Sequence, residues 1–246
     1  LLVSLPHEGT FVPDGIAARL TSQARRVPDT DWHVARLYAF AKELGASVIV
    51  PTHSRYVVDL NRSEDDVSLY PGQNTTGLCP TVRFTGEPVY LDGQAPTEDE
   101  VGARVDTYWR PYHAALRDEL ERLHAEHGRV VLWEGHSIRG ELPFLFEGRL
   151  PDLNLGTANG ASATPALQQR LEAVLAAQSR YGWVHNGRFR GGYITRHYAD
   201  PARGIQAVPL EISQRIYMDE GSFIYDSVKA LKAQGVISAL LVAALG

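Results

Sequence analysis

Apolar residues cluster at the start of the chain, in Leu1-Leu2-Val3-Ser4-Leu5, and Pro6 closes the run, so the pattern predicts a short buried strand. From His33 to Leu44, the apolar positions Val34, Leu37, Tyr38 and Leu44 fall at roughly helical spacing, and Gly45 stops them. Ser47 to Val50 and Tyr56 to Leu60 are β-prone runs. Between Ser63 and Pro96, Gly, Pro, Asn and Asp dominate with little periodicity, which predicts a long ordered excursion over the surface. The strongest helical pattern is Val101 to His127, where Val101, Val105, Tyr108, Trp109, Tyr112, Leu116, Leu120 and Leu123 recur three or four apart and Gly128 follows the end. Pro111 lies inside it and predicts a kink or a break into two helices. Val130 to Trp133 predicts a central strand, Arg139 to Ala163 an irregular stretch, and Pro165 to Arg180 a helix. Ala207 to Ile212 predicts a strand if Pro209 sits where no ladder donor is needed, and Phe223 to Leu245 a closing helix interrupted near Gly235.

Strands alternating with helices place the chain in the α/β class, as a single domain over residues 1–246 with a central mixed sheet flanked by helices. In such sheets ligands gather at the carboxyl ends of the strands. Three polar groups fall there: His7 after the first strand, His136 after Trp133, and Glu211 after Val208 to Leu210.

Composition narrows the function classes. With 246 residues and 44% hydrophobic, the chain can bury one large core. Its 29 acidic and 24 basic side chains give a net charge of -5 without any Lys/Arg cluster, which argues against nucleic acid as a partner. Cys79 is the single cysteine, so internal disulfides and multi-thiolate zinc sites are excluded. The apolar terminal run, Val236 to Leu245, is too short to span a bilayer and no signal peptide is visible. We therefore expect a cytoplasmic protein with no membrane partner. Because the chain opens inside an apolar run without a methionine, we also expect residues upstream of Leu1.

Neutral imidazole is a good ligand for zinc, and strand ends can hold two rings in fixed geometry, so His7 and His136 are the first candidates for a metal centre. The ordinary alternative for each is a surface or hydrogen-bonded turn residue. A mononuclear catalytic zinc needs a third protein ligand and an open water position. Asp31 is preferred for it, with Asp29, His33 and Glu8 as alternatives, although Asp29, Thr30 and Asp31 all suit a helix-capping role. Asn61-Arg62 pairs an amide with a guanidinium able to grasp a carboxylate through two parallel bonds; ion pairs with Glu64, Asp65 or Asp66 are the competing account. Arg190, beside Gly191-Gly192, can bind a second carboxylate or polarise an acyl oxygen, with Arg196 and His197 supporting the same pocket, and Arg188 is assigned to the surface. Glu211 emerges from an apolar strand, where a carboxylate is costly to bury unless paired; a proton-transfer role or an internal bridge to Arg215 would each explain it. The chain lacks His-Glu-x-x-His and Gly-x-Ser-x-Gly, so neither a zincin nor a serine-hydrolase elbow is indicated.

Taken in order, these motifs resemble the N-formylglutamate amidohydrolase family. The resemblance runs through Ser4-Leu5-Pro6-His7-Glu8-Gly9-Thr10, Asp29-Thr30-Asp31-Trp32-His33, the block from Ser54 to Arg62, Glu134-Gly135-His136-Ser137, the block from Asn186 to Tyr198, and Glu211 to Met218. It implies a fold akin to zinc carboxypeptidases and release of formate from N-formyl-L-glutamate, late in histidine degradation. It further implies His7 and His136 as ligands of one catalytic Zn²⁺ (or another divalent metal), Asn61 and Arg62 as carboxylate binders, and Glu211 as the catalytic carboxylate. Carboxypeptidases place a Glu three residues after the first ligand histidine; Thr10 stands there, and Asp31 is the proposed replacement. The expected partner is a small acidic N-acyl amino acid. Other readings are a related N-acyl-amino-acid deacylase, a carboxypeptidase-like hydrolase, or a non-catalytic dicarboxylate binder.

Overall fold

The computed structural model describes residues 1–67, 72 and 74–246. Among these residues, six strands form one mixed sheet in the order β2-β1-β3-β6-β4-β5. They are β1 (Leu2–Ser4), β2 (Ser47–Ile49), β3 (Val130–Ile138), β4 (Leu153–Leu155), β5 (Trp183–His185) and β6 (Ile205–Ser213). β1, β2, β3 and β6 run parallel, so their carboxyl ends share one edge; β4 is antiparallel to β6 and parallel to β5. The helices are α1 (Asp14–Ala17), α2 (Val34–Leu37), α3 (Glu98–Arg104), α4 (Arg110–His127), α5 (Pro165–Ala177), α6 (Tyr193–Tyr198) and α7 (Ser227–Leu245).

Strand periodicity divides the core in two. Val3, Leu5, Val131, Trp133, Val208 and Leu210 point to the face covered by α2, α5 and α7. Leu2, Val130, Leu132, Ile205 and Ala207 point to the face covered by α4, through Leu116, Leu120 and Leu123, and by Ile194 of α6. β3 is buried along its whole length, as a central parallel strand covered on both faces must be. α7 runs through Gly235 without a break, and by length and composition it could cross a membrane. Here Ala230, Ala233, Ile237, Leu240, Leu241 and Ala244 bury one face of it in the core.

Several elements differ from the periodicity. The span His33 to Leu44 splits into α2 and a 3₁₀ turn, Ala39–Leu44. The span Val101 to His127 is interrupted at Val105–Trp109, which forms a π turn, and Pro111 directly follows it in the first turn of α4 without breaking the helix. Tyr56 to Leu60, β-prone by composition, forms no strand. Its backbone folds through turns, with Val57 N–H on Ser54 O (2.8 Å) and Asp59 N–H on Leu78 O (2.7 Å), because the segment is buried on all sides rather than on one face. The stretch Arg139 to Ala163 contains β4. The excursion from Ser63 to Pro96 is a loop where described, and Ser68 to Pro71 and Gln73 lie outside the described residues. Pro209 occupies a central strand opposite Glu134, and its carbonyl accepts the Gly156 N–H at 2.9 Å.

Candidate active site

Three parallel strands deliver the site. The chain leaving β1 carries His7 onto the carboxyl edge, β3 carries His136 near its end, and β6 places Glu211 in register with His136. Gly9, just past His7, lets this segment lie against the backbone of His53, where a Cβ would come within 2.1 Å of the carbonyl oxygen. The His7 carbonyl accepts the Asp31 N–H at 3.0 Å, which brings the Asp29–Asp31 turn alongside the first histidine.

His7, Asp31 and His136 are all buried and converge. Nδ1 of His136 is 3.1 Å and Nδ1 of His7 3.7 Å from the same oxygen, Asp31 Oδ2. One ligand atom from each side chain lies within 4.8 Å of the other two, the one such group among the described residues. Ligands about 2.0–2.1 Å from a tetrahedral zinc lie about 3.3 Å apart, so these separations need little adjustment to hold an ion. The far side of each ring is also prepared. His7 Nε2 meets Asp59 Oδ1 at 2.7 Å, and His136 Nε2 meets Glu134 Oε2 at 3.4 Å. A carboxylate on the outer nitrogen fixes the tautomer that leaves Nδ1 free to ligate and makes it more basic. The donor set, two imidazoles and one carboxylate with no thiolate, fits a divalent ion of the zinc type.

Electrostatics agree with a cation site. Burial works against ionised Asp31, but the facing His136 and His7 rings, when they carry positive charge, outweigh it and hold the carboxyl below its ordinary value, as a cation in the same place would. For Asp59, burial is likewise overcome, by the Arg55 guanidinium and by His7. Glu211 is different: burial pushes its carboxyl up to about 8, against the opposing pull of His136. Arg215, one possible partner for Glu211, is engaged by Asp152 (2.7 Å), Ser213 and the Leu150 carbonyl instead.

The other candidate ligands are held elsewhere. Asp29 accepts the Tyr56 hydroxyl at 2.6 Å and the Phe84 N–H at 2.9 Å. His33 Nε2 lies 2.8 Å from the Phe223 carbonyl. Glu8 accepts the Ala35 N–H at 3.1 Å, capping α2.

A cavity of about 160 Å³ opens onto His7, Asp31, His136 and Glu211, and Arg55, Arg62 and Arg188 also line it. The acidic neighbours of Arg62 are turned away: Glu64 pairs with Arg110 at 3.1 Å, Asp65 accepts the Val67 N–H, and Asp66 the Leu78 N–H. Asn61 also lines the cavity, but its amide is used internally. Its Oδ1 accepts the Ile194 N–H at 2.9 Å and its Nδ2 donates to Glu134 at 3.1 Å. Gly192 makes this possible, because a Cβ there would fall 2.6 Å from the Asn61 amide. Arg190, Arg196 and His197 are not brought into the cavity. All three are exposed. Arg190 Nε donates to the Gly187 carbonyl, Arg196 Nε to the Gly191 carbonyl, and His197 stacks on Tyr193 with ring centroids 4.7 Å apart. Arg188, expected in a surface network, is the basic side chain of that block that faces inward, packed between Phe146 and Phe189.

Two residues absent from the sequence candidates complete the centre. Asp59 accepts from His7 and, through Oδ2, from Arg55, and its Oδ1 also takes the Asn61 N–H at 2.9 Å. Glu134 gathers Asn61, His136 and the Thr195 hydroxyl. Each is a lone carboxylate inside an apolar run, a pattern that signals a required partner.

The chain is similar to known proteins over its length. It is 50% identical over 246 residues to the N-formylglutamate deformylase of Pseudomonas putida, covering all of this chain and 92% of that protein. It is 51% identical over 242 residues to that of Pseudomonas aeruginosa, covering 98% and 91%. The crystal structure of N-formylglutamate amidohydrolase from Ralstonia eutropha superposes with a TM-score of 0.82 at 26% identity, covering 98% of this chain and 92% of that one. An Agrobacterium tumefaciens gene product shares the fold at a TM-score of 0.70 and 20% identity, covering 100% and 91%. The family model for N-formylglutamate amidohydrolase matches residues 1–218, a span that holds both histidines, Asp31, the Asn61-Arg62 pair and Glu211. On this agreement of sequence, fold and site, the chain belongs to the N-formylglutamate amidohydrolase family.

Proposed function

We propose that the chain is a zinc-dependent hydrolase that splits N-formyl-L-glutamate into formate and L-glutamate, a step of histidine degradation. The observation that carries this reading is the shared cavity: the His7-Asp31-His136 group, the poised Glu211 and the cationic Arg62 and Arg188 face one small space. Its two Pseudomonas relatives, each about half identical in sequence, bear the name of that activity. The arrangement of two histidines, a strand-end glutamate and an inward arginine supports a likeness to zinc carboxypeptidases as well.

His7, Asp31 and His136 would hold the metal. When bound, the ion acidifies the attacking water and polarises the formyl oxygen. The Glu211 carboxylate takes a proton as the water oxygen bonds to the formyl carbon, and the displaced π pair collects on the formyl oxygen. Arg55 is placed to face that charge: its Nη1 lies 4.0 Å from Asp31 Oδ1, and its buried Nε has no hydrogen-bond partner among the described residues. Glu211 then returns the proton to nitrogen as the C–N bond breaks. Arg62 grips one glutamate carboxylate, and Arg188, braced by two aromatic rings, receives the other. This assigns to Arg55 and Arg188 the roles first sought in Arg190.

The test is a substrate panel assayed for formate and free amino acid. N-formylglutamate is expected to turn over, with N-acetylglutamate and short peptides slower by about a hundredfold or more. Preferred cleavage of peptides would favour a carboxypeptidase-like activity, and dicarboxylate binding without turnover of any compound a binding protein. Within the same panel, Arg62→Ala and Arg188→Ala should each lower kcat/KM for N-formylglutamate by about 10- to 100-fold, the worth of a charge-assisted bond. Each loss should largely vanish on the analogue amidated at the carboxylate that residue grips. Equal losses on acid and amide would remove that arginine from the recognition scheme.

A further inference from the structure

The segment that presents Arg62 is gripped from behind by helix side chains. Three successive backbone carbonyls each meet a donor. The Leu60 carbonyl lies 2.9 Å from His113 Nε2, the Asn61 carbonyl accepts the Tyr193 N–H at 3.2 Å, and the Arg62 carbonyl accepts the Trp109 indole N–H at 2.8 Å. Trp109 and His113 are one helical turn apart and their rings stack, with centroids 3.8 Å apart and planes 29° from parallel. His113 is buried, which pushes its pKa down to about 4 and keeps the ring neutral. Because a carbonyl can only accept, the Leu60 carbonyl puts the ring proton on Nε2, and Nδ1 faces the Tyr198 hydroxyl at 2.9 Å, which also lies 3.2 Å from the His113 carbonyl.

The π turn at Val105–Trp109 explains how one rod reaches the loop at two places. Upstream of it, Arg104 donates to the Val57 carbonyl at 3.0 Å and to the Tyr90 hydroxyl at 2.9 Å. Downstream, Trp109 and His113 reach Arg62 and Leu60. One extra residue in a turn rotates everything after it by about 100°, so an unbroken α-helix anchored at Arg104 would aim the two rings elsewhere. Single-turn π bulges of this kind often occur at functional sites.

We propose that Trp109 and His113 are positioning residues for substrate recognition: their ring N–H groups, aimed by the π turn, fix the carbonyls on both sides of Asn61 and so set where the Arg62 guanidinium enters the cavity. Neither residue lines the cavity, so neither touches substrate. The inference rests on the reading of Arg62 as a carboxylate grip.

Trp109→Phe keeps a stacking ring and removes only the N–H. In the metal-loaded enzyme it should raise KM for N-formylglutamate about five- to tenfold while kcat stays within about twofold. The effect should shrink on the analogue whose Arg62-bound carboxylate is amidated, and should disappear in an Arg62→Ala background. His113→Phe should behave like Trp109→Phe, and His113→Gln, whose amide nitrogen can stand where Nε2 does, should recover most of the loss. Unchanged KM with a fall in kcat, equal losses on acid and amide, or a full effect on top of Arg62→Ala would overturn the inference. If Arg62→Ala discriminates acid from amide and Trp109→Phe does not, only the positioning role fails. If Arg62→Ala itself does not discriminate, the carboxylate grip fails and takes this inference with it.

Discussion

Glu211→Gln should lower kcat by about 10³- to 10⁴-fold, the upper part of the range for losing a positioned acid–base group, while bound metal and substrate affinity change little. The expectation follows from place and environment together. Glu211 stands opposite His136 across β3 and β6, at the edge where His7 and Asp31 meet it, and it lines the cavity. Burial raises its carboxyl to about 8, which makes the ionised form a stronger base than an exposed glutamate. A cation at the neighbouring ligands pulls the value back down, so the group works between these limits. A raised carboxyl acts as base only above its pKa, so kcat/KM of the wild type should rise with pH through the Glu211 titration. Glutamine, isosteric and unable to accept the proton, should abolish that limb. Glu211→Gln protein with near-native kcat would show that another group moves the proton.

Asp31→Asn is expected to be nearly as severe by a different route. Asp31 meets both ring Nδ1 atoms through a single oxygen. The amide keeps the shape and loses the charge that offsets a divalent ion, so metal content should fall and formate release should drop by about a thousandfold, consistent with several kcal/mol of Lewis-acid stabilisation. Asp59→Asn should be milder. Asp59 orients His7 from the outer nitrogen, and such a change typically costs about 10- to 100-fold in metal affinity or activity. Metal titration of both variants, followed by activity at saturating metal, separates the two. Excess zinc should restore much of Asp59→Asn and little of Asp31→Asn. Equal rescue of both would mean that Asp31 orients the site rather than ligating.

The residues legible in the sequence are those that close an apolar run at a strand end: His7, His136 and Glu211. A polar side chain there is either costly or useful, and parallel strands bring such ends to one edge. For the third ligand, the sequence favours Asp31 but leaves Asp29, His33 and Glu8 open. Only the fold shows Asp29 bound to Tyr56 and Phe84 and Glu8 capping α2. Arg55 and Asp59 are hidden for another reason. Period-two alternation applies to a strand with two distinct faces, whereas Tyr56 to Leu60 is a turn buried on every side. In the block around Gly191-Gly192, spacing cannot decide which arginine turns inward. The carbonyls of Gly187 and Gly191 capture Arg190 and Arg196, leaving Arg188 against the cavity. β4 and β5 have three residues each, too few to show a period, and without them the sheet's antiparallel edge is invisible.

Elemental analysis of the purified protein, coupled to formate release during stepwise metal removal and return, bears most directly on the shared ion. One zinc per chain should be found, activity should fall in proportion as it is withdrawn, and His7→Ala or His136→Ala protein should neither retain the metal nor recover on its return. Full turnover of N-formylglutamate by chain verified to be metal-free would contradict the account at its centre.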